Sequence, residues 1–125
     1  MAKYTLERME QIRGKQVFDK LVVDGVAPFD TFINLLEETY RSEVRTLYSL
    51  MDAVANLMSL PETKFHPYSD GKDGVREFEF KTKHLRAYAI EQTGGKIIII
   101  GGTKANQSKD QADFRRLKKG YLASK

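Results

Sequence analysis

The spacing of apolar positions changes four times along this chain. From Tyr4 to Arg13, Leu6, Met9 and Ile12 stand three apart, which predicts a short helical turn. Gln16–Val23, with Val17, Phe18, Leu21, Val22 and Val23, reads as a strand closed by Asp24-Gly25. Pro28 and Asp30 open a helix, with Asp30 at the N-cap, and Phe32, Ile33, Leu36 and Tyr40 follow at helical spacing. Val44, Leu47, Tyr48, Met51, Val54, Ala55 and Met58 then recur at steps of three and four, the apolar face of a longer helix ended by Pro61. Ser42 as its cap predicts a break between the helices near Tyr40–Ser42. The methionines on this face read as core filling.

His66–Gly74 is dense in turn formers and reads as loop. Beyond it the period becomes two. Val75–Lys81, Leu85–Gln92 and Lys96–Thr103 are predicted strands, with Thr93-Gly94-Gly95 as a hairpin turn. The links are too short for parallel crossovers, so these strands form an antiparallel meander. Lys109–Leu122 predicts a basic helix carrying Ala112, Phe114, Leu117 and Tyr121. The predicted fold is α+β: a small antiparallel sheet of an N-terminal strand plus a three-stranded meander, two helices on one face, and a C-terminal helix. A length of 125 residues suits one domain. Residues 16–125 form it, and residues 1–15 are an N-terminal extension expected to be helical.

Charge sharpens this picture. The chain carries +4 overall, but residues 1–80 hold 10 Lys/Arg against 14 Asp/Glu, whereas residues 81–125 hold 11 against 3. A basic half on an acidic domain fits a phosphate backbone, an acidic protein partner or a solvated helix. With no cysteine, disulfides, thiolate chemistry and cysteine zinc sites are excluded. The first residues lack the apolar run of a secretory leader, and no stretch is apolar enough to span a membrane; a cytoplasmic location is expected.

Gly94–Asp110 (GGKIIIIGGTKANQSKD) raises the question of a phosphate-cradling loop. The order Gly101-Gly102-Thr103-Lys104 lacks the lysine and hydroxyl that must directly follow the last glycine of such a loop. Ile97–Ile100 therefore reads as a buried central strand, with the two glycines marking a bulge or a close backbone approach.

Alternation across the first hairpin brings chemistry together. With Thr82-Lys83 as a two-residue turn, Glu79 faces Arg86 and Glu77 faces Tyr88. Glu77, Glu79, Lys81, His84, Arg86 and Tyr88 share one side of the sheet; Phe78, Phe80, Leu85 and Ala87 share the other. Two readings stand open: cross-strand ion pairs on a wet face, or a concave site in which arginine holds phosphate and a carboxylate or imidazole moves a proton.

Three runs, Gly74–Phe80, His84–Ile90 and Lys96–Lys104, together with the preceding helical pair and the basic last helix, resemble the RelE/HigB-like toxins of bacterial toxin–antitoxin systems. The resemblance covers about Gln16 to Leu122. It implies an mRNA endoribonuclease, acting on the ribosome in many members, that needs no metal or other cofactor and is held in an oligomer by a cognate antitoxin. Carried over by position, Arg86 holds the phosphate and Lys104 is the second cation. Glu77 and Glu79 stand where some members have catalytic lysines, so the base falls to a carboxylate, to His84, or to Glu62 in the Pro61-Glu62 loop. Lys81, Lys83, Tyr88, Lys109, Arg115, Arg116, Lys118 and Lys119 are the expected RNA contacts. The chain departs from the family in placing Tyr88 two residues after Arg86, and in lacking a C-terminal catalytic tyrosine or histidine unless Tyr121 reaches back. The alternatives are non-catalytic relatives: a gyrase inhibitor of the ParE type, or a module that binds RNA or antitoxin without cleaving.

Overall fold

The computed structural model describes residues 1–69 and 72–125. It is α+β, with a mixed six-stranded sheet and three helices. In chain order these are β1 (Tyr4–Arg8), β2 (Val17–Val23), α1 (Pro28–Asn34), α2 (Arg41–Ala55), β3 (Phe65–Ser69), β4 (Glu77–Lys81), β5 (Leu85–Gln92), β6 (Gly95–Thr103) and α3 (Gln107–Ala123). Single 3-10 turns, Glu38–Tyr40 and Lys104–Asn106, lead into α2 and α3. The sheet order is β1-β2-β6-β5-β4-β3. All neighbours are antiparallel except β2 and β6, which run parallel over Val17–Lys20 and Gly95–Ile98. The sheet is therefore larger than expected, and mixed rather than antiparallel.

Two segments depart from the predicted pattern. Tyr4–Arg8 is a strand and not a helical turn. It pairs along β2 from Tyr4 opposite Val23 to Arg8 opposite Asp19, while Met9 and Ile12 enter the core. Three-residue spacing did not distinguish a helix from a strand followed by a turn; the free edge of β2, with its unpaired backbone groups, decided the matter. The predicted loop begins with strand β3, whose Pro67 is tolerated because β3 lies at the sheet edge. Asp70 and Gly71 of that loop lie outside the described residues.

The helix starts also shift. The residue capping α1 is Ala27, and Asp30, inside the first turn, pairs with Lys20 at 2.9 Å. Tyr40, not Ser42, precedes α2, at the end of the 3-10 turn that makes the expected break.

Both sheet faces are covered. Phe78, Phe80, Leu85, Ala87, Ala89 and Ile98 join Leu47, Met51 and Phe29 beneath α1 and α2. On the other face Tyr88, Ile90, Ile97 and Ile99 join Phe114, Leu117 and Tyr121 of α3. The face expected to be wet is thus roofed by α3, because Ile90, Ile97 and Ile99 share it with the charged residues. The β6 bulge falls at Ile99, between the pairs Ala89–Ile98 and Tyr88–Ile100. The glycines serve close approach by side chains: Gly101 receives the Phe32 ring and Gly102 the Asp110 carboxylate.

Candidate functional site

The β4–β5 turn builds the site. It spans three residues, Thr82, Lys83 and His84, rather than two, and Lys81 pairs with Arg86, Glu79 with Tyr88 and Glu77 with Ile90. This is a two-residue shift from the expected register, and an even shift leaves the strand residues on their predicted faces. His84 is the exception: the longer turn carries it to the α2 side. The turn is closed by the Thr82 N–H donating to the Leu85 carbonyl at 3.0 Å and the Leu85 N–H donating to Thr82 Oγ1 at 3.0 Å. Arg86 secures it from below. Its Nη1 donates to the carbonyls of Thr82 and Leu85, at 2.7 and 2.8 Å.

At the tip, His84 meets Glu43 of α2. Nδ1 of His84 is 2.6 Å from Glu43 Oε2, and the His84 N–H donates to Oε1 at 2.8 Å. Thr82 Oγ1 also donates to Oε1. Burial pushes the Glu43 carboxyl up, but the hydrogen bonds from Thr82 and His84 outweigh it and hold the group at about 2. An ionised carboxylate only accepts, so the neutral imidazole carries its proton on Nδ1 and leaves Nε2 as a base. The His84 side chain is 42% exposed. It lines a cavity of about 500 Å³ with Tyr40, Thr103, Lys104 and Ala105. The Lys104 N–H donates to the His84 carbonyl at 2.9 Å, which ties the end of β6 to the turn. The Tyr40 ring lies 4.9 Å from the imidazole.

Of the expected site residues, His84 and Lys104 line this cavity, and exposed Lys83 stands beside them in the turn. The others lie elsewhere. Glu62 is exposed in the α2–β3 connection. Arg86 is 7% exposed, and its guanidinium serves the turn carbonyls. Lys81, at the end of β4, is half-buried. Lys109, Arg115, Arg116 and Lys119 are exposed on α3; Lys109 and Arg116 pair with Asp113, and Arg115 donates to the Tyr68 hydroxyl at 2.8 Å.

Four expected residues form a buried network beneath α3. Lys118 is 2% exposed and contacts Glu77, Asp73 and the Val75 carbonyl at 2.7 to 2.9 Å. It is therefore committed inside the protein rather than offered to RNA. Glu79 is 2.8 Å from Nε2 of His66, whose Nδ1 faces the Pro67 carbonyl at 2.8 Å. Its other oxygen lies 3.9 Å from Nε of Arg86. Tyr88 is fully buried and stacks on Phe114 at 5.5 Å. Burial first, then the Glu79 carboxylate, raise its phenol, so it stays protonated. Tyr121 is 7% exposed within the same core and does not line the cavity.

Sequence reasoning missed Glu43, Tyr40 and Thr82. Glu43 lies 41 residues from His84, and only tertiary packing brings the two together. No protein-family model, curated protein or solved structure matches this chain.

Proposed function

We propose that this protein cleaves RNA, and that it is the toxin of a toxin–antitoxin pair. The observation carrying the chemistry is the Glu43–His84 pair opening on a cavity beside Lys104. The nucleophile is the RNA's own 2′-hydroxyl, so the protein needs no serine or cysteine. Nε2 of His84 takes the 2′-hydroxyl proton as the oxygen attacks the adjacent phosphorus. The P–O5′ bond breaks, and the departing oxygen takes a proton from water. The products are a 2′,3′-cyclic phosphate and a 5′-hydroxyl end. Glu43 orients the ring and stabilises the imidazolium that forms, and the Lys104 ammonium stabilises charge gathering on the phosphate. The resemblance supplies the biological setting: mRNA as substrate, and an antitoxin with an acidic or amphipathic segment set against the basic half.

A non-catalytic relative is the second reading, favoured by one observation. Arg86, at the family's phosphate-holding position, is spent on the turn carbonyls. Induced expression of the parent and of His84→Ala, with mapping of new mRNA 5′ ends, separates the readings. Growth arrest with new ends that vanish in the variant is expected. Arrest without new ends points to a gyrase-type target.

A further inference from the structure

Resting on that reading of the Glu43–His84 pair, we propose that the cavity beside His84 is a nucleobase subsite. The base of the nucleotide that supplies the 2′-hydroxyl lies against Tyr40, with its phosphate toward Lys104.

The lining makes this case. Tyr40 gives an aromatic ring, Ala105 and Thr103 give methyl groups, and Lys104 gives an aliphatic stem. The polar groups these residues carry are the imidazole, the ammonium and the Tyr40 and Thr103 hydroxyls, and the cavity surface is mostly apolar. A cavity of about 500 Å³ exceeds what a lone phosphate needs and falls within the usual range for small-molecule sites. An apolar, ring-walled space with one cation matches a base joined to a phosphate. Single-stranded nucleic acids are held in this way elsewhere, with bases on aromatic rings and the backbone on cations.

Tyr40 is also held in place. Its N–H donates to the Glu37 carbonyl at 3.0 Å, and its ring packs against the core beneath α1 and α2. A ring already fixed loses little freedom when a base settles on it. Stacking accepts any base, so the subsite admits all four, with purines ahead of pyrimidines because they cover more of the ring.

The chain has no tryptophan, so Tyr40→Trp places a single indole reporter in the cavity. The probes are the 3′-monophosphates of adenosine and uridine, which have no leaving nucleoside and cannot be cleaved, and inorganic phosphate. Both nucleotides are expected to change the indole emission, adenosine at lower concentration, and phosphate is expected to leave it unchanged. In the otherwise unaltered chain, equilibrium dialysis is expected to give Tyr40→Ala about tenfold weaker nucleotide binding. Tyr40→Phe is expected to match the parent. Equal affinity in the parent, Tyr40→Ala and Tyr40→Phe overturns the subsite, as does an equal emission change with phosphate alone. RNA cleavage is scored separately: nucleotide binding that depends on Tyr40 without cleavage removes the nuclease reading and supports the subsite, whereas cleavage without Tyr40-dependent binding removes the subsite alone.

Discussion

Nδ1 of His84 lies 2.6 Å from Oε2 of Glu43, a contact that joins the β4–β5 turn to α2 beside the cavity that His84 lines. The pair fixes the ring's orientation and its tautomer together. A base that is positioned before substrate arrives saves the reaction that reorganisation.

His84→Ala is expected to lower cleavage of a defined RNA oligonucleotide by about 10²-fold or more, the usual scale for removing a general base. Glu43→Gln keeps the shape but exchanges the ionised acceptor for an amide, and is expected to cost less, about tenfold. Initial rates across pH check both. Parent-like rates in His84→Ala would remove it from the chemistry.

Glu43 also makes stability depend on acid. Its folded value of about 2 lies below the ordinary 4.5. A depressed carboxyl stabilises the native state above about pH 4.5, and that contribution disappears as pH falls toward 2. With solvent screening at half-exposed His84, the loss is on the order of 1 kcal/mol. Urea midpoints across this range are expected to fall more steeply in the parent than in Glu43→Gln.

Arg86→Met removes the guanidinium bonds to the Thr82 and Leu85 carbonyls, leaving the Leu85 carbonyl the Thr82 N–H, and takes away the guanidinium neighbour of Glu79. A loss of about 2–4 kcal/mol in denaturant unfolding is expected. Arg86→Lys is expected to recover only part of it, since one ammonium does not reproduce the planar fork. If Arg86 instead acts directly on the phosphate, Arg86→Lys keeps parent stability and loses only RNA affinity or rate.

Gly95→Ala tests the parallel seam. A methyl group there would run into the Val17 backbone, which has no room to yield. A destabilisation of about 2 kcal/mol or more is expected from thermal unfolding.

If the protein binds RNA as proposed, its two basic regions are expected to make separable contributions. Exchanging Lys83 and Lys104 for glutamine is expected to reduce the salt dependence of RNA affinity by about one to two phosphate contacts. Arg115→Glu with Arg116→Glu tests α3 in the same titration. Unaltered affinity in that double variant would remove α3 from the RNA footprint.

Much of the architecture was legible from period and punctuation. Leu85–Gln92 and the helix carrying Leu47, Met51 and Val54 announce themselves, because strict spacing and turn residues agree there. The faces of β4 and β5 were legible too, since Phe78 and Phe80 alternate with Glu77 and Glu79. What escaped depended on distant partners. Tyr4–Arg8 is a strand because β2 offers an edge, and Phe65–Ser69 is a strand despite Pro67 because β4 offers another. The site was half legible for the same reason. Lys104 and His84 stand out as polar residues at strand ends, but Glu43 lies on a helix and gains its meaning only when the turn reaches it. The wet face was misjudged because charge was weighed residue by residue, whereas α3 covers Glu77 and Glu79 along with the isoleucines beside them.

The parallel pairing of β2 with β6 sets an order of events during synthesis. Residues 17–20 find their partners at 95–98, so β2 emerges from the ribosome long before its inner neighbour exists. Until then its only paired strand is β1, and a two-stranded ribbon is marginal in water without packing partners such as α1. The same separation divides the cavity, with Tyr40 and Glu43 made early and His84 and Lys104 late. Closing so long a loop is slow. A nascent chain therefore carries no assembled cavity until Lys104 and Ala105 have been made, and a truncated product ending before residue 95 is expected to be inert and prone to proteolysis.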